Sequence, residues 1–160
     1  MSKKGVTLVE ILVSVFIVSL IAGAALLAFP HLFEGVNVAS QKVRAWEAAR
    51  QEIEILKRAD FDAALYNVSY DPTLAETPIA NRFTTGVPGT SGVYYVERMY
   101  NTGGVQLTDL VNVEVVVCLR VGNRTMGEDT NLNGVLDAGE DRTINNRIDS
   151  PVMLRTLITR

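Results

Sequence analysis

The order of hydrophobic and polar positions divides the chain into three stretches with different periods. Residues 6–29 are almost uniformly apolar, and the nineteen residues Ile11–Phe29 carry no charge. As a helix, residues 6–29 would reach about 36 Å, enough to cross a hydrocarbon core of roughly 30 Å with some tilt. After Pro30 a single apolar stripe follows at helical period, through Val36, Ala39, Val43, Trp46, Ala49, Ile53 and Leu56. Gln41, Lys42, Arg44, Glu47, Arg50, Gln51, Glu54, Lys57 and Arg58 lie between these positions, so residues 30–58 read as an amphipathic continuation whose one apolar face needs a surface to cover it. One helix over residues 6–58 would be about 80 Å long. Pro30 and Gly35 mark its expected weak point, because proline removes an internal hydrogen bond.

Residues 59–92 hold no sustained period; Pro72, Pro78, Pro88, Gly86, Gly89 and Gly92 make them a connecting region with short elements at most. Strand patterns come next. Val93 to Met99 is rich in Val and Tyr and is followed by a Gly103-Gly104 turn. Val111, Val113, Val115, Val117, Leu119 and Val121 alternate with Asn112, Glu114, Val116, Cys118 and Arg120, the surest strand of the chain. Val152 to Thr159 supplies another. The predicted class is α+β: a long amino-terminal helix whose second half packs on a small antiparallel sheet, in a head spanning residues 59–160.

Charge sharpens this division. The whole chain is 48% apolar with a formal net charge of −3. Without Lys3, Lys4 and Glu10, 13 Lys+Arg face 17 Asp+Glu, a balance of −4 that gives no basic face for a nucleic-acid partner. Cys118 is the one cysteine, which excludes an intramolecular disulfide and a cysteine-based zinc site but permits an intermolecular bridge. His31, the one histidine, has no second histidine or cysteine to join it in a metal or catalytic set, and reads as an interfacial residue. No nucleophile with a base and orienter and no phosphate loop is present, so an enzyme is not expected.

The amino terminus carries the sharpest functional signal. Lys3 and Lys4 precede the apolar span and should hold the amino end in the cytoplasm, leaving the head extracytoplasmic. Glu10 is the anomaly, because a carboxylate inside a membrane helix costs on the order of 2.5–3.5 kcal/mol and so calls for a partner. Cleavage between Gly5 and Val6 would create one, an α-amino group four residues before Glu10. The run Lys3-Lys4-Gly5 followed by Val6-Thr7-Leu8-Val9-Glu10 and a long apolar helix resembles the class III signal of type IV pilins and type II secretion pseudopilins. The resemblance implies a leader of residues 1–5, cleavage after Gly5 by prepilin peptidase, methylation of Val6, and Glu10 as the assembly glutamate. It implies partners as well: other pilin or pseudopilin subunits through the amino-terminal helix, and an inner-membrane assembly platform. The chain would be a single-pass inner-membrane protein before it enters a pilus or a periplasmic pseudopilus, with a lollipop form. Val6 departs from the commoner phenylalanine, and Pro30 sits later than the family's helix-interrupting proline.

A second signal lies between the last two predicted strands. Asp129-Thr130-Asn131-Leu132-Asn133-Gly134-Val135-Leu136-Asp137-Ala138-Gly139-Glu140 fits the EF-hand loop, with oxygen donors at positions 1, 3, 5, 9 and 12, glycine at 6 and an apolar residue at 8. A hard cation takes six to eight oxygens, and one tight loop must turn them inward around a glycine. Asp129, Asn131, Asn133, the Val135 carbonyl, Asp137 and Glu140 would ligate Ca2+ within residues 128–141. Five acids and no base in that stretch would repel one another when empty, so the ion should order the segment. A sensor is disfavoured, because no amphipathic helices flank the loop. Residues 140–151 repeat 128–139, pairing Glu128 with Glu140, Asp129 with Asp141, Asn133 with Asn145 and Asp137 with Asp149. In the second copy Asn146 replaces the turn glycine and Val152 stands where the closing acid belongs, so one good site is expected, with Asp141 or Asp149 as sources of supporting oxygens.

These readings point to a structural filament subunit, minor pilin or pseudopilin, with a calcium-stabilised head. The rival is an uncleaved, membrane-anchored extracytoplasmic calcium-binding domain that does not assemble.

Overall fold

The structure is a computed structural model that describes residues 7–74 and 76–160, apart from the side chains of Pro30, His31, Leu32 and Glu34. The chain is α+β and divides into two compact units, Met1–Ala39 and Ser40–Arg160. Helix α1 spans Leu8–Arg58. Thr7 starts it: the amide of Glu10 donates to the Thr7 carbonyl at 3.0 Å and to its hydroxyl at 3.3 Å, so an N-cap threonine satisfies an otherwise orphaned donor. Leu8–Phe29 is long and apolar enough to cross a membrane. Its two serines fold their hydroxyls back onto the helix, Ser14 to the Glu10 carbonyl at 2.7 Å and Ser19 to the Val15 carbonyl at 2.8 Å, which satisfies polar groups that lipid would leave bare. The helix continues through Pro30 and Gly35, where the sequence suggests a weak point.

In the second unit five antiparallel strands form one sheet: β1 (Asn81–Phe83), β2 (Thr90–Tyr100), β3 (Gln106–Val121), β4 (Arg124–Met126) and β5 (Met153–Thr159). β3 is the spine. β2 pairs along one of its edges, β5 takes Leu110 to Val116 on the other, and β4 takes Leu119 to Val121. Because side chains alternate, β3 feeds two cores. Val111, Val113, Val115, Val117 and Leu119 face Ala45, Ala49, Ile53 and Leu56 of α1, with Phe61, Leu65, Val96, Val152 and Ile158 completing that layer. Val116 and Cys118 face the other way, with Tyr70, Val93, Tyr95 and Ile148.

The helix meets the sheet along a line shifted from the expected stripe. Ala45, Ala48, Ala49, Ile53 and Leu56 are buried, whereas Val36, Val43 and Trp46 are exposed. Small alanines let the helix backbone come close to a sheet face already crowded with valines, and tryptophan at the same contact would hold it away. Cys118 is buried beneath the segment that follows β4, so the intermolecular bridge allowed by sequence has no exposed sulfur to form it. Burial pushes its thiol up to about 11.

Candidate functional site

Between β4 and β5 the chain makes a 127–152 insertion without helix or strand. A stretch this long inside a compact unit needs its own internal bonding. Both ends are fixed on β3. Gly127, at φ 111°, lies so close to Cys118 that a Cβ would stand 2.3 Å from the sulfur. At the far end the Val117 amide donates to the Val152 carbonyl at 2.9 Å, and the Ser150 hydroxyl to the Val117 carbonyl at 2.6 Å. The Glu128 amide joins the two ends by donating to the Asp149 carbonyl at 2.8 Å.

The first half of the insertion holds the sequence-predicted ligands. Asp129 is fully buried and accepts from the amides of Asn133 (3.0 Å) and Gly134 (2.7 Å) and from the Ser91 hydroxyl of β2. The Asn131 and Asn133 side-chain oxygens accept from the amides of Asn133 and Val135, and their amide nitrogens both donate to Asp137, at 2.7 and 2.8 Å. Glu140 accepts from the Thr130 amide (2.8 Å) and hydroxyl with one oxygen and from the Asp137 amide (3.1 Å) with the other. Burial pushes the Glu140 carboxyl upward, but the Thr130 hydroxyl and the surrounding amides outweigh it and hold it below its ordinary value. Gly134 at φ 72° makes the turn, and Arg82 of β1 donates to the Asn133 carbonyl at 3.2 Å.

Asp129, Asn131, Asn133, Asp137 and Glu140 are thus joined in one ring of side-chain-to-loop hydrogen bonds. An all-oxygen set on one loop has the chemistry of a hard-cation site. The geometry is that of a loop bonded to itself: Asp129 and Glu140 accept loop amides, Asp137 accepts two side-chain amides, and among the described residues no group of three or more His, Cys, Asp or Glu side chains is placed to hold a metal ion.

The second half repeats the first more faithfully than the residues suggest. Asp141 accepts from the amides of Asn145 and Asn146 as Asp129 does from Asn133 and Gly134. Asn145 donates to Asp149 as Asn133 does to Asp137, and Asn145 accepts from the Arg147 amide as Asn133 does from Val135. Leu132 and Ile144, twelve residues apart, both have positive φ, and Asn146 holds φ 58° where Gly134 holds 72°. Asn146 therefore keeps the turn, because asparagine tolerates the left-handed region. The missing acid at Val152 is supplied from the other end: Glu128 accepts from the amides of Arg142, Thr143 and Asp149, the twelve-residue counterpart of Glu140 accepting from Thr130 and Asp137. Glu128 is the residue of this site that the loop pattern does not mark as a ligand. Its alignment with Glu140 was the available signal, but that alignment compares positions along the chain and does not show one glutamate closing the opposite loop.

This second half is also the one tied to the sheet by charge. Arg147 reaches Glu114 of β3 at 2.8 Å and stacks over Tyr70 and Tyr95, while Arg155 holds the other Glu114 oxygen at 2.9 Å. The Ile148 amide donates to the Tyr95 hydroxyl at 2.8 Å.

At the amino terminus Gly5 and Val6 lie outside the described residues. Glu10 stands exposed in the first turn of α1, in the apolar stretch where sequence placed it. Residues 1–26 match the family model of the prokaryotic N-terminal methylation motif. The motif takes in Gly5, Val6 and Glu10 and runs into the apolar helix, and it supports a type IV pilin-like precursor, anchored in the membrane by a single pass and processed by prepilin peptidase. No curated protein matches the chain, and no solved structure does.

Proposed function

We propose that the chain is a filament subunit, a minor pilin or pseudopilin of a type IV pilus or type II secretion-like machine, cut after Gly5 and methylated on Val6. The observation that carries this reading is the methylation motif of residues 1–26 running into a 22-residue apolar helix. Glu10 supports it, because a carboxylate at that depth is costly in lipid and is neutralised by the new amino terminus of its own or a neighbouring chain. The test is the mass of the mature amino terminus. Loss of Met1 to Gly5 with one methyl group on Val6 is the expected result. An intact leader selects instead an anchored domain that does not assemble.

In this reading Ca2+ stabilises the head through Asp129, Asn131, Asn133, the Val135 carbonyl, Asp137 and Glu140. Support comes from the loop spacing and from the ring of oxygen donors those side chains form. Binding only to the folded state raises stability in proportion to RT ln(1 + [L]/Kd), about 2.7 kcal/mol at a hundredfold excess over Kd. In the detergent-solubilised chain Ca2+ should therefore raise the thermal midpoint, and the chelated chain should lose the gain. Asp129→Ala with Glu140→Ala lowers the midpoint even without calcium, since both carboxylates hold loop amides. The decisive quantity is the calcium-induced shift, which should vanish in the double variant; no shift in the wild-type chain rejects the site.

A further inference from the structure

Asn133 and Gly134 form the one Asn-Gly pair of the chain, at the turn of the first loop of the insertion. Such a pair is the asparagine setting most open to self-attack, because glycine has no Cβ to keep its backbone nitrogen from the amide carbon of the preceding side chain. The turn alone does not demand glycine, since Asn146 makes the corresponding turn of the second loop at φ 58°. A neighbour does. Arg82 donates to the Asn133 carbonyl at 3.2 Å and crosses so close that a Cβ on Gly134 would stand 2.7 Å from the Arg82 Cδ. Packing thus keeps a reactive pair in the loop, with the Asn133 side chain exposed to water.

Both reacting groups are restrained by the ring of bonds around them. The Gly134 amide donates to the buried Asp129 carboxylate at 2.7 Å, a charge-assisted bond that keeps the proton on the nitrogen that would attack. The Asn133 side chain is fixed at both ends: Oδ1 accepts from the Val135 amide at 2.7 Å, and Nδ2, the leaving group, donates to Asp137 at 2.8 Å. Reaction therefore waits on a local opening of the loop that breaks all three bonds. The second loop is the internal comparison. Asn145 accepts from the Arg147 amide at 2.8 Å and donates to Asp149 at 3.0 Å, and the Asn146 amide donates to Asp141 at 3.0 Å. The bonds are the same, but the attacking nitrogen there belongs to a residue with a side chain.

We propose that Asn133 is a site of spontaneous deamidation, guarded by Asp129 and Asp137, and that its conversion holds the first loop open. In the opened loop the Gly134 nitrogen gives its proton to hydroxide and bonds to the Asn133 Cγ. The Cγ–Nδ2 bond breaks, ammonia leaves, and a succinimide remains. Water then adds across one of its two C–N bonds and leaves aspartate or isoaspartate at position 133. No oxidant, cofactor or second enzyme enters the balance. The product cannot close the ring as before, because the Nδ2 donor that met Asp137 at 2.8 Å is now a carboxylate oxygen facing a carboxylate. Each event adds one negative charge to the insertion and is not undone by reclosure.

Tryptic mapping of the full-length chain in detergent tests it, since cleavage after Arg124, Arg142 and Arg147 puts Asn133 in peptide 125–142 and Asn145 in peptide 143–147. The chain is aged at mildly alkaline pH with a chelator, which confines the measurement to the loop's own bonds, and amide-to-acid conversion is followed by mass, with fragment ions separating Asn133 from Asn131. Conversion at Asn133 should be at least about a hundredfold slower in the folded wild-type chain than in urea, and Asp129→Ala should raise the folded rate at least about tenfold. Asp137→Ala, at an exposed position, should raise it at least about threefold, which tests the guard even where Asp129→Ala does not fold. In urea Asn145 should lag Asn133 at least about tenfold. For the consequence, Asn133→Asp should lower the thermal midpoint by about 2 °C or more, and adding Asp137→Asn should restore it. Equal rates for folded and urea-treated wild type, no acceleration in Asp137→Ala, equal rates at Asn133 and Asn145 in urea, or an unchanged midpoint for Asn133→Asp overturns the proposal.

Discussion

Single residues in the insertion carry more of its shape than their size suggests. Gly127 is the extreme case, because it combines φ 111° with a virtual Cβ 2.3 Å from the Cys118 sulfur and 3.2 Å from the Asp149 carbonyl. Neither neighbour can yield, since Cys118 is fixed in β3 and Asp149 is tied to Glu128. Gly139 also has positive φ, at 89°, but opens onto free space. Gly127→Ala should therefore lose about 3 kcal/mol or more, strain and overpacking together, and Gly139→Ala only about 1–2 kcal/mol from strain. Urea denaturation of the two variants checks the ordering. Equal losses would mean that backbone strain, and not the packing on Cys118, sets the cost.

At the scale of elements, the insertion is held to β3 by a buried charge. Burial raises the Glu114 carboxyl above its ordinary 4.5, only partly offset by Arg155. A raised folded value means the folded state binds more protons than the unfolded one just above pH 4.5, and stability contributed by Glu114 is lost as pH rises through that window. Glu114→Gln should remove this descending component from a midpoint-against-pH profile and cost little at neutral pH. Arg147→Met should cost about 3–5 kcal/mol, because it strips one partner from a carboxylate that stays buried. A profile for Glu114→Gln parallel to wild type would show that Glu114 titrates alike in the folded and unfolded chain and contributes nothing to the pH dependence.

The same scale shows what could be read from the residues. β3 was legible from Val111 to Val121, where alternate side chains enter different cores, but its first five residues, 106–110, carry no such pattern. β1 and β4 were not, since three residues such as Asn81–Phe83 or Arg124–Met126 carry no period, and only pairing with a longer neighbour makes them strands. The second half of α1 was legible as a helix but not in its orientation. Hydrophobicity ranks Trp46 and Val43 above alanine, yet the close approach to β3 selects Ala45, Ala48 and Ala49. Within the insertion, the loop pattern marked Asp129, Asn131, Asn133, Asp137 and Glu140, which are linked by hydrogen bonds within the loop. The exchange that lets Glu128 serve the second loop depends on the two ends of the insertion lying side by side, a tertiary fact set by Gly127, Val152 and β3.

For the whole molecule, the decisive fact is where the cores end. Every residue of both lies between Ala45 and Ile158, within the Ser40–Arg160 unit, whereas Leu8 to Phe33 contributes large exposed apolar side chains and no core residue among those described. The second half of α1 therefore owes its stability to the β3 valines, whereas the first half has no packing partner among the described residues. A fragment of residues 40–160 should then fold alone. Its helix would begin at Ser40, a residue suited to capping a helix start, and it keeps 13 Lys+Arg and 16 Asp+Glu, a net −3 that favours solubility. It should be monomeric without detergent and unfold in urea in one transition, the same by far-UV circular dichroism as by tyrosine fluorescence, because β3 is shared by both cores and neither can open alone. Two separate transitions would show the insertion side melting independently of the helix side. Loss of near-UV signal with helix retained would show that the first half of α1 contributes to the head after all.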